Sequence, residues 1–263
     1  MKIKAAVMTA VGKPLEIREV ELDKPKSNEV LVKILATAIC HSDLNTLNDE
    51  TTPIPQVLGH EGAGIVVETG ESVKTCKKGD FVTLSWVPYC GTCAFCRAGK
   101  VNLCESAFGP MFGGTLMDGT SRLHLDGKPA YHMSLLSTFA EYTVVPEMSC
   151  IPMPEGMPAA PACMIGCGVA TGYGAAVCAA HIRNNRYPLF RNDVMETVIR
   201  LIIPFCISRI IIIKELTAWI FFVITTPKRK GYAIILPTPR YFRMIRRTKV
   251  TGNLGSIISR FMQ

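Results

Sequence analysis

The sequence predicts a β-rich domain of the α+β class, built on a partly open barrel. Three observations carry this. Short runs of branched apolar residues recur through residues 1–150, each bounded by Gly, Pro or Asn. Several short strands at modest spacing favour a curled sheet, because closure removes exposed edges. A run of small residues over 158–180, led in by Pro158 and Pro161, reads as a closely packed helix that its glycines interrupt.

Taken in order, the first strand falls on Ala5 to Val11. Lys2 and Lys4 precede it and charge resumes at Lys13, with no cleavage site to make it a secretion signal. Glu29 to Ala36 alternates in part and is rich in branched residues, so it is a second strand. Gly64 to Glu68, Asp80 to Ser85 and Phe139 to Val145 read the same way. Between the last two lies an exposed-looking loop around 113–123, to which no role is assigned. No internal repeat interrupts this reading.

Charge divides the chain. Of its 263 residues, 29 are Lys or Arg and 21 are Asp or Glu, and the net charge is +8. Residues 1–180 hold 14 basic and 18 acidic residues, whereas 181–263 hold 15 and 3, a switch from −4 to +12. Two segments are therefore expected: a domain over 1–180 and an atypical basic, Ile-rich tail over 181–263. Residues 198–226 carry nine isoleucines between Ile202 and Ile224, yet Arg200, Arg209, Lys214 and Glu215 break the run. A membrane span is disfavoured, and buried strands or helices are the plainer reading. The basic clusters at Lys228 to Lys230 and Arg240 to Lys249 could meet phosphates. Without a recognised fold to present them, nucleic acid is not an expected partner.

Eleven cysteines are an odd count in a chain too long to need stapling, so a disulfide scaffold does not fit. A reducing cytoplasm, with thiols free for metal, is the expectation. Cys90, Cys93, Cys96 and Cys104 form C-x2-C-x2-C-x7-C. Two thiolates can reach one ion from a tight turn, and four close its shell. Such a site is structural and pins a lobe. Zinc is favoured there, although an iron–sulfur cluster also takes four thiolates.

Three further motifs lie far apart: Cys40-His-Ser-Asp43, Gly59-His60-Glu61-Gly-Ala-Gly64 and Gly166-Cys167-Gly168. Each is weak alone. With the four-cysteine lobe, their order and spacing resemble the zinc-dependent medium-chain alcohol dehydrogenases over about residues 1–180. That stretch corresponds to the GroES-like catalytic domain and the start of its partner domain.

The resemblance implies two zinc ions. Cys40, His60 and Cys167 would hold a catalytic zinc and leave its fourth position to water or an alcohol. Cys90, Cys93, Cys96 and Cys104 would hold the structural one. It also implies NAD or NADP as hydride acceptor and a small alcohol or aldehyde as substrate. Ser42 matches the family's hydroxyl relay, the one catalytic side chain expected besides the metal ligands. Asp43 and Glu61 match carboxylates behind the ligands, Asp43 orienting the imidazole of His60. His41 and Thr171 are the expected cofactor contacts. His41 departs from an Arg common in the family, and Asn45 from a His that ends the relay in some members. Trp86 either lines the substrate pocket or joins the core. Cys76, Cys150, Cys163, Cys178 and Cys206 are small buried thiols, although Cys163 could compete with Cys167.

A complete member needs a Rossmann domain after residue 170, opened by G-x-G-x-x-G. No such motif is present, and Gly252 to Gly255 is too short. Residues 181–263 therefore read as an irregular tail that is a truncated, frame-shifted or read-through continuation. An oligomeric state cannot be carried over, since dimers of the family form through the missing sheet. Two functions follow: a zinc-dependent alcohol dehydrogenase with an incomplete cofactor domain, or a non-catalytic zinc-binding protein derived from one.

Overall fold

The computed structural model describes residues 1–175, together with the backbone of three later strands. Ten strands fall in the first stretch. They are β1 (Lys2–Met8), β2 (Glu16–Leu22), β3 (Glu29–Ala38), β4 (Gln56–Val57), β5 (Glu61–Thr69), β6 (Phe81–Leu84), β7 (Leu123–Leu125), β8 (Lys128–His132), β9 (Tyr142–Pro146) and β10 (Cys150–Pro152). Strands β1, β2, β7, β8 and β4 close into a small barrel. A five-stranded antiparallel sheet, ordered β10-β6-β5-β3-β9, stacks beside it. A bridge between Ala5 and Ala140 joins the two.

Strand β3 sits between two neighbours, β5 and β9, because it can be buried on both faces. Its run of Val, Leu, Ile and Ala leaves only Lys33 exposed. Strand β2 is its opposite, Glu-Ile-Arg-Glu-Val-Glu-Leu, with Val20 and Leu22 inward and acids outward. The barrel core gathers Ile3, Val7, Val20, Leu22, Val57 and Leu123. A second cluster, with Val30, Val32, Val66, Val82 and Leu84, lies on the five-stranded sheet. A buried ion pair ties the two: Arg122, just before β7, donates to both carboxylate oxygens of Glu29, at the start of β3, at 2.8 and 2.6 Å.

Five expected strands are present with shifted ends. The first runs from Lys2 to Met8, because Val11 already lies in the turn that follows. Five more were not expected. The β7–β8 hairpin turns on Asp126-Gly127, both at positive φ (52° and 75°), with Leu125 paired to Lys128. That is a two-residue turn of the kind Asp-Gly favours, and it lies just past the loop left without a role.

The helices among the described residues are short. They are α1 (His41–Asn48), α2 (Ala94–Arg97), α3 (Glu105–Gly113), α4 (Ala159–Cys163) and α5 (Ala170–Gly174). A π-helical turn, Ile165–Val169, separates the last two, so the interrupted helix expected there is present. Its interruption has a local cause. A Cβ on Gly166 would come within 1.9 Å of the Leu84 carbonyl of β6, so glycine lets the turn rest on the sheet.

Strands β11 (Ile210–Lys214), β12 (Trp219–Ile224) and β13 (Ala233–Ile234) pair antiparallel with one another. Strand therefore accounts for part of the apolar run at 198–226. The other expectations for 181–263, and Cys178 and Cys206, lie outside the described residues. Among the described residues, no helix is long and apolar enough to cross a membrane.

Candidate metal centre

Among the described residues, two groups of side chains converge as metal ligands would. Cys90, Cys93, Cys96 and Cys104 bring their sulfurs within 4.8 Å of one another. None is in a disulfide. The lobe folds so that backbone N–H groups point at sulfur. Thr92 and Cys93 donate to Cys90 Sγ at 3.4 and 3.3 Å, Cys96 donates to Cys93 Sγ at 3.5 Å, and Cys90 donates to Cys104 Sγ at 3.3 Å. Hydrogen bonds from Ser106 and Thr92 hold the Cys90 thiol down to about 5. Such bonds stabilise thiolates, the form in which cysteine binds metal.

The second group combines Cys40, His60, Glu61 and Cys167, again within 4.8 Å of one another. Each comes from a different local device. Cys40 ends the loop after β3 and precedes α1. His60 and Glu61 lie where the chain enters β5, and Cys167 sits on the π turn that Gly166 lets onto the sheet. Cys40 Sγ and Cys167 Sγ are 4.0 Å apart. Two thiolates on one tetrahedral zinc would stand about 3.8 Å apart. Cys163 Sγ instead donates to the Ala160 carbonyl at 3.1 Å and is fully buried, so it does not compete.

Asp43 lies behind this cluster and is completely buried. One of its oxygens is 3.1 Å from His60 Nδ1, and the other accepts the Cys40 N–H at 2.7 Å. With Nδ1 engaged, Nε2 is the nitrogen left to the centre. Burial alone would lower the His60 pKa. The Asp43 carboxylate and Cys40 outweigh it and push the imidazole up to about 10. A hydrogen bond from Cys167, opposed by burial and aided by His60, brings Cys40 down to about 3. That same bond and burial push Cys167 up, so Cys40 ionises first.

Glu61 stands closer than a supporting carboxylate should. It is 1% exposed, one oxygen has no hydrogen-bond partner among the described residues, and the group sits among the ligands. Burial and the charge of Cys40 raise it to about 7. A buried, unpartnered carboxylate oxygen beside two sulfurs and an imidazole suits a cation, and the donor set fits zinc. The sequence held a sign of this: the residue beside a ligand at a strand entry shares its surroundings.

The remaining expected residues lie around the centre. Ser42 is exposed on the first turn of α1, with Oγ 3.7 Å from Cys40 Sγ. His41 and Asn45 on the same helix are exposed, as is Thr171 on α5. Trp86 is half-buried and packs against the core of the five-stranded sheet.

The alcohol dehydrogenase GroES-like domain family matches residues 26–155. S-(hydroxymethyl)glutathione dehydrogenase of Escherichia coli is 48% identical over 177 residues, which are 66% of this chain and 48% of that protein. Among solved structures, an alcohol dehydrogenase zinc-binding domain protein from Burkholderia ambifaria is 37% identical with a TM-score of 0.65, over 70% of this chain and 50% of that one. Benzyl alcohol dehydrogenase from Acinetobacter calcoaceticus is 35% identical with a TM-score of 0.62, over 68% and 48%. The chain thus spans about half the length of the relatives it matches. With two clusters of ligand residues on this fold and these matches, the chain belongs, over about two thirds of its length, to the zinc-dependent medium-chain alcohol dehydrogenase family.

Proposed function

We propose that the chain carries the zinc and substrate site of an alcohol dehydrogenase that passes hydride from a primary or secondary alcohol to NAD or NADP. The observation that carries this reading is the contrast between the clusters. Four sulfurs alone make a closed site, whereas two sulfurs, an imidazole and a carboxylate held from behind by Asp43 suit a site that exchanges one ligand. On this reading there are two zinc ions, a structural one on Cys90, Cys93, Cys96 and Cys104 and a catalytic one on Cys40, His60 and Cys167. The domain ends near residue 180, and the protein works in the cytoplasm.

Zinc supplies Lewis-acid polarisation of an alcohol oxygen, and the nicotinamide supplies the hydride acceptor. The chain's own residues do the rest. Asp43 keeps a proton on His60 Nδ1 and turns Nε2 toward the centre. Ser42, exposed on α1, accepts the alcohol proton at Oγ while it passes its own to solvent. Glu61 serves as a fourth donor that can yield to substrate. His41 and Thr171 line the approach of the cofactor. S-(hydroxymethyl)glutathione, from the relatives' name, is the first substrate to try, and benzyl alcohol the second.

A second reading is a zinc-binding protein without turnover. One observation favours it: the sequence after residue 170 has no G-x-G-x-x-G fingerprint. Zinc stoichiometry and NAD(H) binding on the full chain separate the two. Two zincs with nicotinamide binding and turnover support the dehydrogenase. One or two zincs without nicotinamide binding support the second reading, no zinc at the Cys40 cluster overturns the dehydrogenase, and no zinc at either cluster overturns both.

A further inference from the structure

The entry to β5 that carries His60 and Glu61 is gripped by two threonines that belong to neither cluster. Thr37, near the end of β3, donates its hydroxyl to the Glu61 carbonyl at 2.8 Å. Thr37 Oγ1 and Thr138 Oγ1 are 2.7 Å apart. A hydroxyl has one proton, and that of Thr37 is committed to the carbonyl. The bond between the threonines must therefore run from Thr138 to Thr37. The Thr138 backbone N–H donates to the Gly59 carbonyl at 2.9 Å. The residues on either side of His60 are thus tied to one pair.

Steric contact repeats the grip. Gly59 has φ +92°, and a Cβ there would meet Thr138 Oγ1 at 2.6 Å. A Cβ on Gly62 would meet Thr138 Cγ2 at 2.6 Å. Thr138, joined by Phe139 at Gly59, therefore fills the space that the two glycines leave around His60-Glu61. Both threonines are buried, at 1% and 0% exposure, so water cannot replace their hydroxyls.

The segment that brings Thr138 here is strained. Ser134, Leu135 and Ser137 all have positive φ, between 50° and 61°, without being glycine. Such residues persist only where their surroundings over-determine them. Here Phe139 N–H binds the Leu58 carbonyl at 3.0 Å and Ser137 Oγ binds the Val57 carbonyl at 2.9 Å. The loop is thus fastened to each residue from Val57 to Gly59.

We propose that Thr37 and Thr138 are positioning residues for the metal centre, their hydroxyl chain fixing the backbone of His60-Glu61 against Cys40 and Cys167. This rests on the zinc reading above. The hydroxyls touch no ligand atom, so their effect passes through the peptide that carries two ligands.

The test uses the full chain with Thr37→Val, Thr138→Val and the conservative Thr37→Ser, each loaded with zinc or with cobalt. Chelator-driven zinc release is followed, together with the visible spectrum of the cobalt form. The four-cysteine lobe is an internal control, because it shares neither threonine. Partners behind metal ligands typically govern affinity by about 10–100-fold. Release from the Cys40–His60–Cys167 centre is expected to quicken about 10-fold in Thr37→Val and in the same direction in Thr138→Val. The cobalt band of that centre should shift, the lobe should be unchanged, and Thr37→Ser should restore the native rate. Folded valine variants with native release and spectrum overturn the inference alone. So do variants in which both centres lose metal together with the fold. A wild-type chain that takes metal only on the lobe overturns the zinc reading and this inference together.

Discussion

Asp43 binds two ligand residues at once. Its Oδ1 lies 3.1 Å from His60 Nδ1 while its Oδ2 accepts the Cys40 N–H at 2.7 Å. A single buried carboxylate thus sets the ring of one ligand and the backbone of another. Asp43→Ala should weaken zinc binding at this centre by about 10–100-fold. Asp43→Asn, which can still accept from Cys40, should do less harm. Competition with a chelator measures both, and equal affinity in wild type and Asp43→Ala would contradict the arrangement.

Gly166 makes a different demand. The π turn carrying Cys167 rests directly on Leu84 of β6, and a Cβ at Gly166 would lie 1.9 Å from that carbonyl. Backbone cannot give way as a flexible side chain can. Gly166→Ala should therefore cost about 2 kcal/mol of stability or more, in the range of overpacked sites. It should also lift Cys167 from the cluster, so the zinc count should drop by one while the lobe keeps its metal. A variant with native melting and full zinc would refute this.

The loop around 113–123 carries a structural role at its end. Arg122 is 2% exposed, pairs with both oxygens of Glu29 and reaches Asp118 at 2.6 Å. Removing one partner leaves a buried charge uncompensated, which costs about 3–5 kcal/mol. Glu29→Leu and Arg122→Met should each cause a loss of that order in denaturant unfolding. The double variant should lose clearly less than the sum, since it removes both charges. Additive losses would mean that the two side chains are not coupled.

What could be read from the sequence follows from where the information lies. Strand β3 declares itself because its Val, Leu, Ile and Ala residues report burial through their own type. Strand β2 does not, since its acids face solvent and only Val20 and Leu22 mark the inner face. The β7–β8 hairpin has a legible turn in Asp126-Gly127, but its strands are three and five residues long and carry little pattern of their own. Ligand residues were legible because cysteine and histidine beside glycine are few enough to form a pattern. Thr37 and Thr138 were not. Threonine is common, the two stand 101 positions apart, and only a loop with left-handed serine and leucine brings them together.

His132 gives a pH dependence with a definite sign. It is wholly buried, its Nε2 accepts the Arg122 backbone N–H at 3.2 Å, and its Nδ1 has no partner among the described residues. Burial first, and the nearby guanidinium second, lower its pKa from 6.5 to about 3. The folded protein therefore holds a neutral imidazole where the unfolded chain takes up a proton below about pH 6.5. The unfolded state binds more protons in that window, so stability falls as pH drops from about 6.5 toward about 3. Between about pH 7.5 and about pH 5 the loss should be about 2 kcal/mol, from the linkage of a single group. Metal loss in acid would add its own slope. The quantity to measure is therefore the difference in unfolding free energy between wild type and His132→Gln at each pH. That difference should shrink steadily on acidification, because glutamine takes up no proton in either state. A difference that stays constant across the window would show that His132 is protonated alike in the folded and unfolded chains.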